Sequence, residues 1–198
     1  SGMAQELLLP LALVYNLDIP KNPYYKKKAI KELVKAGMHF AAKSSHKNGS
    51  CDDYYPFERA GGATAFSLLA CIYSYDLINL KDNQLRIFFK LRADWLASHN
   101  ESGQLSNHQA LIVLCLILIS KIINTTEWDN AISNRLERLL EWQDEEGWFQ
   151  EYEGCDPGYQ TLTISILAWI YELEPSPEIR NALKKAVIFT SYFVHPDG

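Results

Sequence analysis

The segment Asp144-Glu-Glu-Gly-Trp-Phe-Gln-Glu-Tyr-Glu-Gly-Cys-Asp-Pro-Gly-Tyr-Gln160 separates two helix-like runs of the sequence. It crowds aromatic and acidic side chains into a segment with no helical or strand period, so it reads as a loop. Before it, residues 128–143 place Ile132, Leu136, Leu139 and Leu140 at helical spacing, with charged residues between them. After it, Asp156 as N-cap and Pro157 at the first helical position open an apolar helix over about 158–173. An amphipathic helix, a glycine-bearing loop and an apolar helix form the unit that the rest of the chain repeats.

Upstream, residues 25–45 carry Ile30, Leu33, Val34, Met38 and Ala41 at helical spacing, with Lys on the other face. His46-Lys-Asn-Gly-Ser50 stops that helix, and Gly49 suits a left-handed C-cap. The loop Cys51–Arg59 leads into a helix over about 62–78 that is apolar on nearly every side. Residues 83–98 are amphipathic again, and the loop Asn100–Ser106 leads to a buried helix over about 107–123. Ser106 and Gln109 have capping-box spacing, which places Asn107 and His108 in its first turn. A last amphipathic helix over 177–194 ends in His195-Pro-Asp-Gly198.

Gly49, Gly103, Gly147 and Gly198 each follow an amphipathic helix, at intervals of 54, 44 and 51 residues. Such a period indicates stacked helical hairpins, none of which buries its apolar face alone. The expected fold is all-α, an incomplete α/α toroid of about three and a half hairpins with apolar inner and amphipathic outer helices. Ser1-Gly2-Met3 reads as a cloning remnant, and residues 4–198 as one toroid domain, the N-terminal part of a longer protein or one that covers its open end by forming a homo-oligomer.

Composition narrows the function classes. Of 198 residues, 47% are apolar and 22% charged, which is globular. A net charge of −5 gives nucleic acid no basic face to bind. The apolar segments 7–15 and 110–119 are too short to span a bilayer, so no membrane role is expected. Cys71 and Cys115 lie in apolar helical runs and read as core thiols. Cys51 and Cys155 occupy related loop positions, where two free thiols are favoured over a disulfide. Localisation stays open, with the cytoplasm slightly favoured. No His, Cys, Asp and Glu set has metal-ligand spacing, and no phosphate loop or nucleophile elbow is present, so no cofactor is expected.

Each loop enters an inner helix, so the repeat gathers the loops at one end of the ring, where the helix N-termini favour an anion. The side chains expected there are Asp52, Asp53, Tyr54, Tyr55, Glu58 and Arg59, then Asn107, His108 and Gln109, then Trp148, Glu151, Tyr152, Asp156, Tyr159 and Gln160. Each has a plain structural alternative. Asp52 or Asp53 caps a helix, Glu58 and Arg59 form a surface ion pair, the aromatics cover helix ends, and His108 is a hydrogen-bonded structural residue. Together, rings beside amides and carboxylates suit a poly- or oligosaccharide, which presents flat pyranose faces and hydroxyls.

At this point the chain resembles the toroid of the heparinase II/III-like and alginate-lyase polysaccharide lyases. The hairpin repeat, Asn107-His108 at an inner-helix start, and the loop Gly147–Tyr159 leading to a helix carry the resemblance. It implies β-elimination on a uronate polymer. Asn107, with His108 or Gln160, would neutralise the substrate carboxylate. Tyr159 would be the acid or base, helped by the field of Arg59. Asp53, Tyr54, Tyr55, Glu58, Arg59, Trp148, Glu151, Tyr152 and Gln160 would bind the chain. Those lyases complete their site with His or Tyr from a following β-rich domain, and no segment here corresponds to it. Two other readings stand beside this one: a non-catalytic glycan-binding or scaffold domain, and a glycoside hydrolase pairing Asp53 or Glu58 with Glu151 or Asp156.

Overall fold

The computed structural model describes residues 2–195 and Asp197; Ser1, Pro196 and Gly198, the last repeat glycine, lie outside them. The described residues form nine helices and no strand, only isolated β-bridges, so the chain is all-α as its periodicity requires. It divides between Ser98 and His99 into two compact units.

The first unit holds α1 (Gly2–Glu6), α2 (Leu8–Asn16), α3 (Lys28–Ser44), α4 (Gly61–Leu77) and α5 (Asn83–Ser98). α4 is its inner helix. It packs against the other four, and 12 of its 17 residues are buried. Small residues make this dense packing feasible, beginning with Gly61-Gly62-Ala63-Thr64-Ala65. α3 buries Val34, Met38 and Ala41, the stripe that its spacing defines.

The N-terminus departs from expectation. α2 forms across Pro10, which falls in the first helical turn, where a missing N–H is no loss. Gly2 is buried rather than dangling. Its N–H donates to the Asp52 carbonyl at 2.9 Å, and an added Cβ would stand 2.7 Å from the Ala63 Cβ. α1 also supplies Gln5, whose Oε1 accepts from Arg92 Nη2 at 2.8 Å. Arg92 is fully buried and donates further to the Gly49 carbonyl, Ser67 Oγ and Ser45 Oγ, while its guanidinium lies 4.6 Å from the Phe88 ring centroid. A cation shielded from water requires such a shell of acceptors. Burial is also what pushes the neighbouring Cys71 thiol up to about 11; the Arg92 charge opposes this.

The second unit holds α6 (Ser106–Ile123), α7 (Asp129–Glu141), α8 (Pro157–Leu173) and α9 (Pro177–Ser191). The inner helices α6 and α8 pack together, with α7 against α6 and α9 against α8. α6 is long and apolar enough to cross a membrane, yet 12 of its 18 residues are buried within the protein. It is a core helix. All four cysteines are free thiols, with Cys51, Cys71 and Cys115 buried and Cys155 exposed.

The repeat survives at the level of single turns. In His46–Ser50 the first N–H donates to the fifth carbonyl and the fourth N–H to the first carbonyl; Asp144–Trp148 makes the same two bonds. The fourth residues, Gly49 and Gly147, have φ of +87° and +110°. An added Cβ would stand 2.8 Å from Arg92 N and 2.5 Å from Lys185 O respectively, in each case against the backbone of the following outer helix. Two expectations need correction. Gly49 is not the C-cap of α3, which is Ser45; it belongs to the turn beyond. Gly103 is not equivalent to Gly49 and Gly147, because an added Cβ there would meet only the Leu105 side chain, at 3.6 Å.

Candidate functional site

In the first unit, two carboxylates build the Cys51–Arg59 loop from within. Asp52 accepts from the N–H groups of Phe57 (2.9 Å) and Arg59 (3.0 Å) and from His46 Nε2 (2.7 Å). Burial pushes its carboxyl up, but the bonds from His46, Arg59 and Phe57 outweigh that and bring it to about 2. Glu58 Oε2 accepts from the N–H groups of Asp53, Tyr54 and Tyr55 at 3.0–3.4 Å. Asp52 and Glu58 therefore hold backbone, leaving Tyr54, Tyr55 and Phe57 at 71%, 72% and 80% exposure on the loop's tip. Arg59 is exposed, at φ +52°, and Asp53 is partly buried. Burial, and then the Asp53 charge, push the Glu6 carboxyl up.

In the second unit, the 142–156 loop is tied to the starts of both inner helices. Ser106 Oγ donates to the Gln150 carbonyl at 2.5 Å, and the Phe149 N–H donates to Gln160 Oε1 at 2.9 Å. The expected Ser106–Gln109 capping box does not form. Ser106 lies inside α6, and Gln109 Oε1 instead accepts from Arg135 Nη1 at 2.8 Å. The Asp156 cap does form, accepting from the Tyr159 N–H at 2.9 Å.

Asn107 and Glu151 lie in contact, and both are out of solvent, at 1% and 4% exposure. Asn107 Nδ2 donates to Glu151 Oε1 at 2.7 Å, and its backbone N–H to Oε2 at 3.4 Å. Burial pushes the Glu151 carboxyl up; the Asn107 bonds and the His108 charge offset only part of this. His108 Nδ1 meets Glu101 Oε2 at 2.8 Å. Burial, then Arg138, bring the Arg135 guanidinium down to about 10, against the pull of Glu101. Gln160 is buried, with its amide spanning the Phe149 N–H and the Gly147 carbonyl.

Three of the expected aromatics sit on this one loop and the helix it enters. Tyr152 and Tyr159 are 63% and 39% exposed, with ring centroids 6.0 Å apart in an edge arrangement. A left-handed φ of +56° fixes the Tyr152 backbone, and its N–H donates to the Gln104 carbonyl. The hydrogen bond with Tyr159, and then the Tyr159 charge, push the Tyr152 phenol above its usual value. Trp148 lines a cavity of about 310 Å³ with Gln104, Glu141, Trp142, Gln143, Asp144, Glu145 and Gln150. Gln150 Nε2 reaches the Tyr152 carbonyl at 3.1 Å, joining cavity to tyrosine pair.

Gln104, Glu141, Trp142, Gln143, Asp144, Glu145 and Gln150 line this cavity without standing among the residues expected from the sequence. Gln104 directly follows Gly103, and Gln150 lies inside the opening stretch, so the repeat register carries a signal for both. Larger cavities lie elsewhere in the second unit. One of about 970 Å³ lies at the α6–α7 turn around Ser120, Asn124 and Asp129, and one of about 720 Å³ lies around Tyr171, Arg180 and Lys184. Among the described residues no group of three or more His, Cys, Asp or Glu side chains could hold a metal ion.

No protein-family model, curated protein or solved structure matches the chain.

Proposed function

We propose that the chain is a carbohydrate-binding helical-repeat protein that holds a glycan across Trp148, Tyr152 and Tyr159 of its second unit. The observation that carries this reading is the exposed tyrosine pair, with a left-handed backbone at Tyr152, beside a cavity lined by three amides, three carboxylates and two tryptophans. Rings held rigid stack on pyranose faces at little entropic cost, and the Gln104 amide with the carboxylates of Glu141, Asp144 and Glu145 meets hydroxyls.

The electrostatics favour a neutral sugar over a uronate. Residues 142–160 carry six carboxylates and no Lys or Arg. The positive end of α8 supplies about half an elementary charge, too little to offset them. β-Elimination would further require Asn107 to exchange Glu151 for a substrate carboxylate, and Asn107 is 1% exposed. Binding without turnover is the reading this geometry favours.

Titration of neutral and uronate oligosaccharides against tryptophan fluorescence tests the proposal. A saturable change with neutral chains, weakened by Tyr152→Ala, supports it. Ultraviolet absorbance from an unsaturated product on a uronate polymer would restore the elimination reading.

A further inference from the structure

α4, α6 and α8 share one design, being apolar on every side, but they do not share one environment. Twelve residues of α4 and twelve of α6 are buried, against five of the 17 in α8. Those five, Gln160, Thr163, Ile166, Leu167 and Ile170, recur at spacings of three and four. They form a single stripe, and the helices packed on α8 within its unit are α6 and α9. The opposite side leaves Leu162, Ile164 and Ala168 half-buried, Thr161 and Ser165 exposed, and Trp169 44% exposed. α9 adds Val187 and Ile188 at 54% and 51% exposure. In a helical repeat, the face that an inner helix turns away from one neighbour is covered by another inner helix.

We propose that this face of α8 is a homodimer interface, on which α8 of one copy packs against α8 of a second across a two-fold axis. The complement that the face requires is a helix of its own composition, which a second copy supplies. Charge points the same way. Residues 99–198 hold six basic and fifteen acidic side chains, a net −9, so most of this unit repels a copy of itself. From Pro157 to Tyr171, α8 has no charged residue at all. Thr161 and Ser165, one turn apart and exposed, let the two backbones approach closely. The 17 residues span about 25 Å, and a strip of that length and about 10 Å width buries roughly 500 Å² over the two copies, the size of a weak, transient association. An interface of that size is weak, so the copies are expected to associate only at high protein concentration.

Sedimentation equilibrium of the full chain between about 1 and 300 μM reads the mass directly. The expected result is a monomer–dimer transition in that range that persists or strengthens in 0.5 M NaCl. Ser165→Arg places a charge on the exposed seam, so it should leave the melting temperature of the monomer, read at about 1 μM, unchanged and weaken dimerisation at least tenfold. Thr161→Arg serves as an independent second seam variant. A chain that is monomeric at 300 μM overturns the proposal. So does an association that salt abolishes, or one that both arginine variants retain at wild-type strength.

Discussion

Substituting alanine at the three described repeat glycines separates the turn-level repeat from a chance spacing. At Gly147 two costs combine. The φ of +110° lies where a residue with a Cβ is strained, by about 1–3 kcal/mol. The new Cβ would also stand 2.5 Å from the Lys185 carbonyl oxygen, backbone that moves only if α9 moves, for roughly another 1–3 kcal/mol. Gly49 carries the same two terms, φ +87° and 2.8 Å to Arg92 N. Gly103→Ala meets only the Leu105 side chain at 3.6 Å, so its expected effect is within about 0.5 kcal/mol. Gly49→Ala and Gly147→Ala should therefore each lose about 2–6 kcal/mol in urea unfolding. Circular dichroism would follow the helices, with Trp142 and Trp148 reporting the second unit. Equal losses at all three glycines, or a loss at Gly103 alone, would refute the assignment of Gly49 and Gly147 as structural equivalents.

Three further outcomes follow from individual side chains. Asp52 has a folded-state value of about 2 against an ordinary 3.8, so its contribution is complete above 3.8 and disappears as pH falls through 2. Asp52→Asn should lose about 1–2 kcal/mol at pH 7, after allowance for partial exposure, and show a flatter acid-unfolding curve between pH 4 and 2. Glu151 has the opposite sign. Its folded value lies above the ordinary 4.5, so its contribution is greatest below 4.5 and is lost as pH rises through the folded value. Thermal melts of Glu151→Gln should accordingly improve relative to the parent between pH 4 and 7. Asn107→Ala strips that buried carboxylate of its side-chain donor and should cost about 1.5–3 kcal/mol at pH 7, read from urea midpoints.

Much of the helical architecture was legible because burial imprints a period on the sequence. The stripe Val34, Met38 and Ala41 and the all-apolar run of α6 located their helices to within a few residues. α1 and α2 were missed because Ser1-Gly2-Met3 reads as a cloning remnant and segment 7–15 is weighed only as a membrane span, whereas the first-turn position of Pro10 and the packing of Gly2 on Ala63 make them part of the unit. The equivalence of Gly103 failed because glycine spacing does not reveal which turns approach an outer helix. The candidate residues were legible as a composition but not as roles. Asn107 and Glu151 lie 44 residues apart, and no local signal says that the amide spends itself on the carboxylate. Likewise Glu58 binds three backbone N–H groups of its own loop, a turn device that a carboxylate intended for a ligand would resemble in sequence.

The central claim is that the Tyr152–Tyr159 pair is a sugar platform, and isothermal titration with neutral oligosaccharides tests it most directly. Stacking of this kind contributes about 0.5–1.5 kcal/mol per ring, so Tyr152→Ala should weaken binding about 2- to 13-fold with the fold intact. Saturable binding of a neutral chain, a loss of that size in the variant, and weaker binding of the matching uronate are expected. Binding of the uronate in preference, or neutral binding that Tyr152→Ala leaves unchanged, would contradict it.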